Sequence, residues 1–130
     1  MSVHKFKLVD EDSLIIVKGL LGADRISLAL DTGASHTVID LSTMLLAGYD
    51  LKDATKIVEL ETGKGNVEAY VFNVHKFKSL DITRTKMEIC SYDFLANNML
   101  LDIHGVLGLD FFKNTDLFIS FKKFEITVNQ

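Results

Sequence analysis

Ile26-Ser27-Leu28-Ala29-Leu30-Asp31-Thr32-Gly33-Ala34-Ser35 is the stretch around which the rest of this chain is organised. Ile26, Leu28 and Leu30 alternate with Ser27 and Ala29, the period-2 pattern of a half-buried strand. Asp31-Thr32-Gly33 ends that pattern, and Gly33 permits backbone angles that a β-carbon forbids, so the chain can turn sharply. His36-Thr37-Val38-Ile39 then resumes a β-branched run. The stretch therefore delivers one carboxylate from a strand end into a small-residue turn. An ordinary strand-to-loop turn has the same appearance, so Asp-Thr-Gly decides nothing by itself.

Working outward, short strand-like segments dominate. Phe6–Val9 and Leu14–Lys18 flank the acidic turn Asp10-Glu11-Asp12-Ser13 and are expected to pair as a hairpin. Leu41–Ala47 is the best short helix, with Asp40 as N-cap and Gly48 as its stop. Ile57–Glu61 and Asn66–Phe72 bracket Thr62-Gly63-Lys64-Gly65, which predicts a hairpin with a mobile tip. On pattern alone that hairpin serves equally well as a structural connector.

Further short strands are expected at Val74–Phe77, Leu80–Ile82 and Met87–Cys90, with Thr83-Arg84-Thr85 as a turn. Gly105-Val106-Leu107-Gly108 predicts a buried strand closely approached by other backbone, followed by a helical turn over Leu109–Asn114. Leu117–Phe121 and Phe124–Val128 close the chain as a hairpin about Lys122-Lys123. Val38-Ile39 before one helix and Val106-Leu107-Gly108 before another form a weak internal echo.

Composition narrows the function. The chain has 130 residues, enough for one domain spanning 1–130 with a core that needs no disulfide or metal staple. A formal net charge of −4 leaves no basic footprint for nucleic acid or an anionic membrane. Lys5, Lys7, Lys76, Lys78, Lys122 and Lys123 are spread among acids, as on a solvated surface. The single cysteine, Cys90, has no internal partner and an apolar setting, which predicts a packed thiol. There is no signal-peptide pattern and no run of roughly 20 apolar residues, so a cytoplasmic location is expected; a piece of a larger protein would look the same.

Other chemistries lack their residues. His4, His36, His75 and His104 do not fall in a zinc spacing, and no metal or cofactor is expected. Ser35 beside His36 lacks the Gly-x-Ser-x-Gly elbow and the converging partners of a serine hydrolase. Gly63-Lys64-Gly65 lacks the spacing and following Ser/Thr of a phosphate loop.

Asp31-Thr32-Gly33-Ala34-Ser35 after an apolar strand, the glycine-tipped hairpin and the Val106-Leu107-Gly108 run occur together in an order that resembles the retropepsin-like aspartic proteases. The resemblance covers most of the chain. It implies an all-β, closed, barrel-like fold with one or two short helices and one lobe per chain, and it turns the Thr62–Gly65 hairpin into a flap over substrate.

The resemblance also implies Asp31 as the catalytic carboxylate. Thr32 would lock two catalytic loops together, and Gly33 would bring backbone close to carboxylate and substrate. Ser35, His36, Thr62, Gly63, Lys64, Gly65 and Val106 would meet the substrate, Val106 within an apolar subsite. Ala34 stands where pepsin-like enzymes commonly have a serine that donates to the carboxylate, so activity is expected at mildly acidic to neutral pH. Lys64 at the flap tip departs from the glycine-rich, apolar flaps of retroviral enzymes.

Carboxylate-driven peptide hydrolysis needs one group to accept a proton from water and another to donate one. The chain holds one Asp-Thr-Gly; neither Asp102 nor Asp110 repeats it. Two copies of the chain must therefore meet on a twofold axis, each contributing Asp31, to act on a peptide or protein substrate. The alternative expectation keeps the fold without the chemistry: a dimeric peptide-binding or assembly module with a silent aspartate.

Overall fold

A computed structural model describes residues 1–8, 14–63, 65–93 and 103–130. Twelve strands and one short helix account for most of them: β1 (Ser2–Lys5), β2 (Ile16–Leu21), β3 (Asp24–Leu30), β4 (Val38–Asp40), α1 (Leu41–Leu46), β5 (Lys56–Thr62), β6 (Gly65–Val74), β7 (Phe77–Ser79), β8 (Ile82–Arg84), β9 (Met87–Tyr92), β10 (Gly105–Leu107), β11 (Asp116–Ser120) and β12 (Glu125–Asn129). Single 3-10 turns occupy Leu51–Asp53 and Leu109–Phe112. The class is all-β.

Nine strands form one sheet in the order β5-β6-β9-β4-β10-β3-β2-β7-β8, and β1-β12-β11 form a second, three-stranded sheet. Among the described residues no pairing joins β5 to β8, so the expected closure into a barrel is not seen. Both sheets feed one core: Leu28, Ile39, Met44, Phe72, Phe77, Ile89, Leu107 and Phe111 pack with Ile126 and Val128 of β12. Period-2 alternation puts these side chains inward, as on β12, where Ile126 and Val128 are buried and Thr127 between them is only half-buried.

The centre of the large sheet has a paired plan. β3 runs parallel to β10, with Leu28, Ala29 and Leu30 opposite Gly105, Val106 and Leu107. β4 runs parallel to β9, and β4 and β10 pair antiparallel between them. Each of the two short strands, β4 and β10, thus pairs in parallel with a strand from the other half of the chain. Gly105 is required here, because a β-carbon would lie 2.3 Å from the Val38 carbonyl oxygen.

Several local expectations change. Phe6, Lys7 and Leu8, the described part of the expected strand Phe6–Val9, belong to no strand, and among the described residues they do not pair with β2. β1 lies earlier, at Ser2–Lys5, and pairs with β12, while β2 pairs with β3 and β7. Residues 9–13 lie outside the described residues. The strand expected at Val74–Phe77 is two strands, β6 ending at Val74 and β7 beginning at Phe77. Leu80 and Asp81 form a tight turn with φ of 51° and 61°, and the expected turn at Thr83-Arg84-Thr85 begins instead as β8. Alternation cannot separate a two-residue hairpin turn from a strand when a leucine occupies the turn.

The other elements agree with their sequence. In α1, Asp40 is the N-cap and accepts from the Ser42 N–H (3.1 Å) and the Ser42 hydroxyl. Gly48, with φ of 101°, takes the left-handed conformation that ends the helix. β5 and β6 meet at Thr62 and Gly65, and β11 and β12 form the closing hairpin. The helical turn after β10 is a 3-10 turn ending at Phe112.

Candidate active site

Asp31 is the first residue beyond β3, and its backbone N–H donates to the Leu107 carbonyl oxygen (3.0 Å), continuing the parallel pairing with β10. The Gly33 N–H donates to Asp31 Oδ1 (2.9 Å), and the Ala34 N–H donates to the Asp31 carbonyl oxygen (3.1 Å). A carboxylate that accepts from the backbone two residues on is fixed in rotamer as well as position. Asp31, Thr32 and Gly33 are nevertheless all exposed in the single chain. The turn is held from below and open above.

What holds it is a network that the sequence reading missed. Thr37 is fully buried, and its N–H donates to both carboxylate oxygens of Asp110 (2.9 and 3.1 Å). Its hydroxyl donates to Asp110 Oδ1 (2.7 Å) and accepts from the Gly108 N–H (3.1 Å). The Leu109 N–H donates to the Ala34 carbonyl oxygen (2.8 Å). Gly108 lies so close to the loop that a β-carbon there would come within 2.7 Å of the His36 carbonyl and 2.8 Å of the Ala34 oxygen. Asp110, set aside for not repeating Asp-Thr-Gly, thus anchors the loop that carries Asp31. No spacing pattern marks such a pair; the only signal was the glycine beside it.

Arg84 is the second omission. Its Nε donates to the Phe111 carbonyl oxygen (2.9 Å) and one Nη to the Lys113 carbonyl oxygen (2.6 Å), and the guanidinium sits 5.7 Å from the centre of the Phe111 ring. These contacts tie β8 to the 3-10 turn that bears Asp110.

A cleft of about 790 Å3 lies beside the loop, lined by Ser35, His36, residues of β5 including Val58 and Leu60, Arg84 to Glu88, Cys90 and Leu109. Ser35 and His36 are thus brought together with the hairpin stem. Val106 does not line this cleft: it is half-buried on β10, opposite Ala29 and Val38. Thr62, Gly63 and Gly65 lie at the hairpin tip, away from the cleft wall. The Thr62 hydroxyl donates to the Gly65 carbonyl oxygen (2.7 Å), and Gly65 has a φ of 105°. Lys64 lies outside the described residues, as does Asp102.

The cleft is of mixed character rather than apolar. Lys56 pairs with Glu88 (3.6 Å), and Glu59, Lys86 and Lys113 join them on its wall. An apolar patch of Ala69, Val71 and Cys90, extended by Val38, Val58, Leu60 and Tyr92, adjoins it. Burial raises the Cys90 thiol above its ordinary range, and the Asp110 and Glu88 carboxylates push the same way. It is therefore a protonated packing group at neutral pH, not a nucleophile.

No cluster of histidine, cysteine and acidic side chains suited to a metal ion occurs among the described residues. No helix among them is long and apolar enough to cross a membrane.

Comparison with known proteins agrees with this geometry. The aspartyl protease family matches residues 17–111, well over half of the chain, from β2 through the 3-10 turn that carries Asp110. The chain belongs to the aspartyl protease family. A crystal structure of a retropepsin-like aspartic protease from Rickettsia conorii superposes with a TM-score of 0.73 over 98% of this chain and 90% of that one. The two sequences are 16% identical, and the chain shares that protein's fold. No curated protein matches by sequence.

Proposed function

We propose that the chain is an aspartic endopeptidase that acts as a homodimer, one retropepsin-like domain over 1–130 in each copy. Asp31 and its symmetry mate form the catalytic pair. One carboxylate takes a proton from the attacking water, and the other donates to the carbonyl oxygen and then to the leaving nitrogen. Paired carboxylates share a proton because two adjacent negative charges are costly; aspartic proteases are the standing example of that effect.

The observation that carries this reading is Asp31 itself: a carboxylate oriented by the Gly33 N–H, braced from beneath by β10, and left exposed with Thr32 and Gly33. An exposed turn this firmly held suits a surface that a second copy covers. In the dimer Thr32 joins the two loops, while Gly33 and Ala34 keep the backbone close to the carboxylates. Ser35 and His36 contact the substrate from the cleft beside the loop, and Thr62, Gly63, Lys64 and Gly65 close over it as a flap. Absence of a donating side chain at Ala34 favours activity at mildly acidic to neutral pH.

Cleavage of a diverse peptide mixture from pH 3 to 8, read by mass spectrometry beside Asp31→Asn, tests the reading, with oligomeric state recorded for both proteins. The expected outcome is cleavage by a dimeric wild type, reduced by at least about a thousandfold in a variant that still dimerises. Cleavage that survives in Asp31→Asn, or an optimum well below pH 4, would overturn it. A dimer with no cleavage would assign the fold to peptide binding instead.

A further inference from the structure

A second cleft, of about 540 Å3, opens where the three-stranded sheet meets β2, β3 and β7. Its wall includes Arg25, near the start of β3, whereas Asp31 follows the end of that strand, roughly 20 Å away along it. We propose that this cleft binds a small organic phosphate.

Strand register fixes the arrangement. Leu20 lies opposite both Arg25 and Lys78, so these two cations flank it in one row across β3, β2 and β7. Lys18 and Ser27 form the next row, and Lys18 Nζ donates to the Ser27 hydroxyl (2.9 Å). Lys18, Arg25 and Lys78 therefore converge from one face of the sheet. The outer two stand two strand spacings apart, about 10 Å between backbones, a gap that their long side chains can close around one phosphate group.

Charge is the deciding observation. The chain as a whole carries −4, yet three permanent cations line this cleft with Asp81 as its only acid. Asp81 is engaged by His4 (3.5 Å). Among the described residues, none of the three cations has a carboxylate within ion-pairing distance. Like charges brought together across strands repel one another, and an anion between them removes that repulsion. Arginine supplies the planar fork that matches phosphate oxygens, and the lysines supply point charges.

The remaining lining selects among anions. Leu20, half-buried in the row between Arg25 and Lys78, puts an apolar side chain among the cations, which suits a phosphate carried on an organic body. Its volume is that of a small-molecule site rather than an extended groove. A single basic cluster on an acidic chain does not make the continuous track that nucleic acid requires.

The test is a titration of isotope-labelled protein followed by backbone amide shifts, at constant ionic strength, with pyrophosphate, inorganic phosphate, adenosine monophosphate and a phosphoserine peptide as probes. It is run on wild type and on Asp31→Asn, so its outcome is independent of proteolysis. Saturable shifts confined to residues 18–20, 25–27 and 78–81 are expected, with the nucleotide binding more tightly than inorganic phosphate. Affinity should fall about tenfold for each charge removed in R25Q and K78Q, with Tm unchanged. If the double variant unfolds, Lys18→Gln alone serves as the readout.

Shifts scattered over other surface lysines, or shifts unchanged in the variants, would overturn the proposal. So would the absence of saturable shifts at millimolar probe. A phosphoserine peptide that binds more tightly than the nucleotide would overturn the small-molecule assignment; weaker binding by the peptide supports it.

Discussion

The two halves of the large sheet's centre follow one plan and do different work. In the first, β3 leads through Asp31-Thr32-Gly33 to β4, and Asp40 at the end of β4 caps its own helix. In the second, β10 leads through Gly108 to a 3-10 turn, and no side chain caps that turn. Its acid, Asp110, reaches instead across to Thr37 in the first half. One half carries an exposed carboxylate, and the other spends its carboxylate on holding it. A loop can present a charged group openly and still be rigid when a second segment supplies the hydrogen bonds that the first leaves unmade.

Substitutions at the contact between the halves should show which side depends on which. The largest effect is expected for Gly108→Ala, whose β-carbon would press on the backbone of His36 and Ala34, atoms that cannot move aside as a side chain would. A loss of about 3 kcal/mol in urea unfolding is expected. Gly63→Ala, at the hairpin tip with nothing within 4 Å of its β-carbon, should change stability by less than about 0.5 kcal/mol. Equal effects at the two glycines would break the distinction drawn between brace and tip.

Thr37→Val comes next. It keeps the shape and removes the hydroxyl, leaving the buried Gly108 N–H without its acceptor and Asp110 without one donor. A cost of about 2 kcal/mol is expected, with Thr37→Ser recovering most of it, as read by thermal unfolding. If Thr37→Val leaves stability unchanged, the second half does not brace the first.

The smallest effect is expected outside both halves, at Lys5 and Glu125 of the three-stranded sheet (2.6 Å). The hydrogen bond from Lys5 holds the half-buried Glu125 carboxyl below its ordinary range, with Lys5 and Lys123 charges adding to it. A depressed carboxylate contributes stability above its unfolded pKa and loses it as pH falls through the folded value, so this contribution disappears only in acid. Lys5→Ala should return the Glu125 titration, followed by NMR, toward the ordinary carboxylate range, with little change in stability at neutral pH.

How much of this was legible in the sequence follows from how local each signal is. The strand into Asp31, the cap at Asp40, the stop at Gly48 and the hairpin at Thr62–Gly65 are written in neighbouring residues, and the structure places those elements there. The partner of β1 was not legible, since alternation marks a strand without saying what it pairs with. Leu80 and Asp81 hide a turn behind a leucine and an acid in place of the usual glycine or asparagine. Thr37 with Asp110, and Arg84 with Phe111, are meetings of distant segments that no short pattern encodes. In sequence Lys78 looks like one more solvated lysine, and only register puts it in a row with Arg25.

The parallel pairing of β3 with β10 bears on the order in which the chain is made. Thr37 and Asp110 stand 73 positions apart, and parallel strands this distant in sequence are among the slower contacts for a chain to form. A ribosome-bound chain that has emerged only as far as β9 already contains Asp31, but neither the strand beneath it nor the carboxylate that holds its loop. The loop that presents Asp31 therefore lacks its brace until β10 and the turn that follows it have been made, so its rigid form comes late in synthesis.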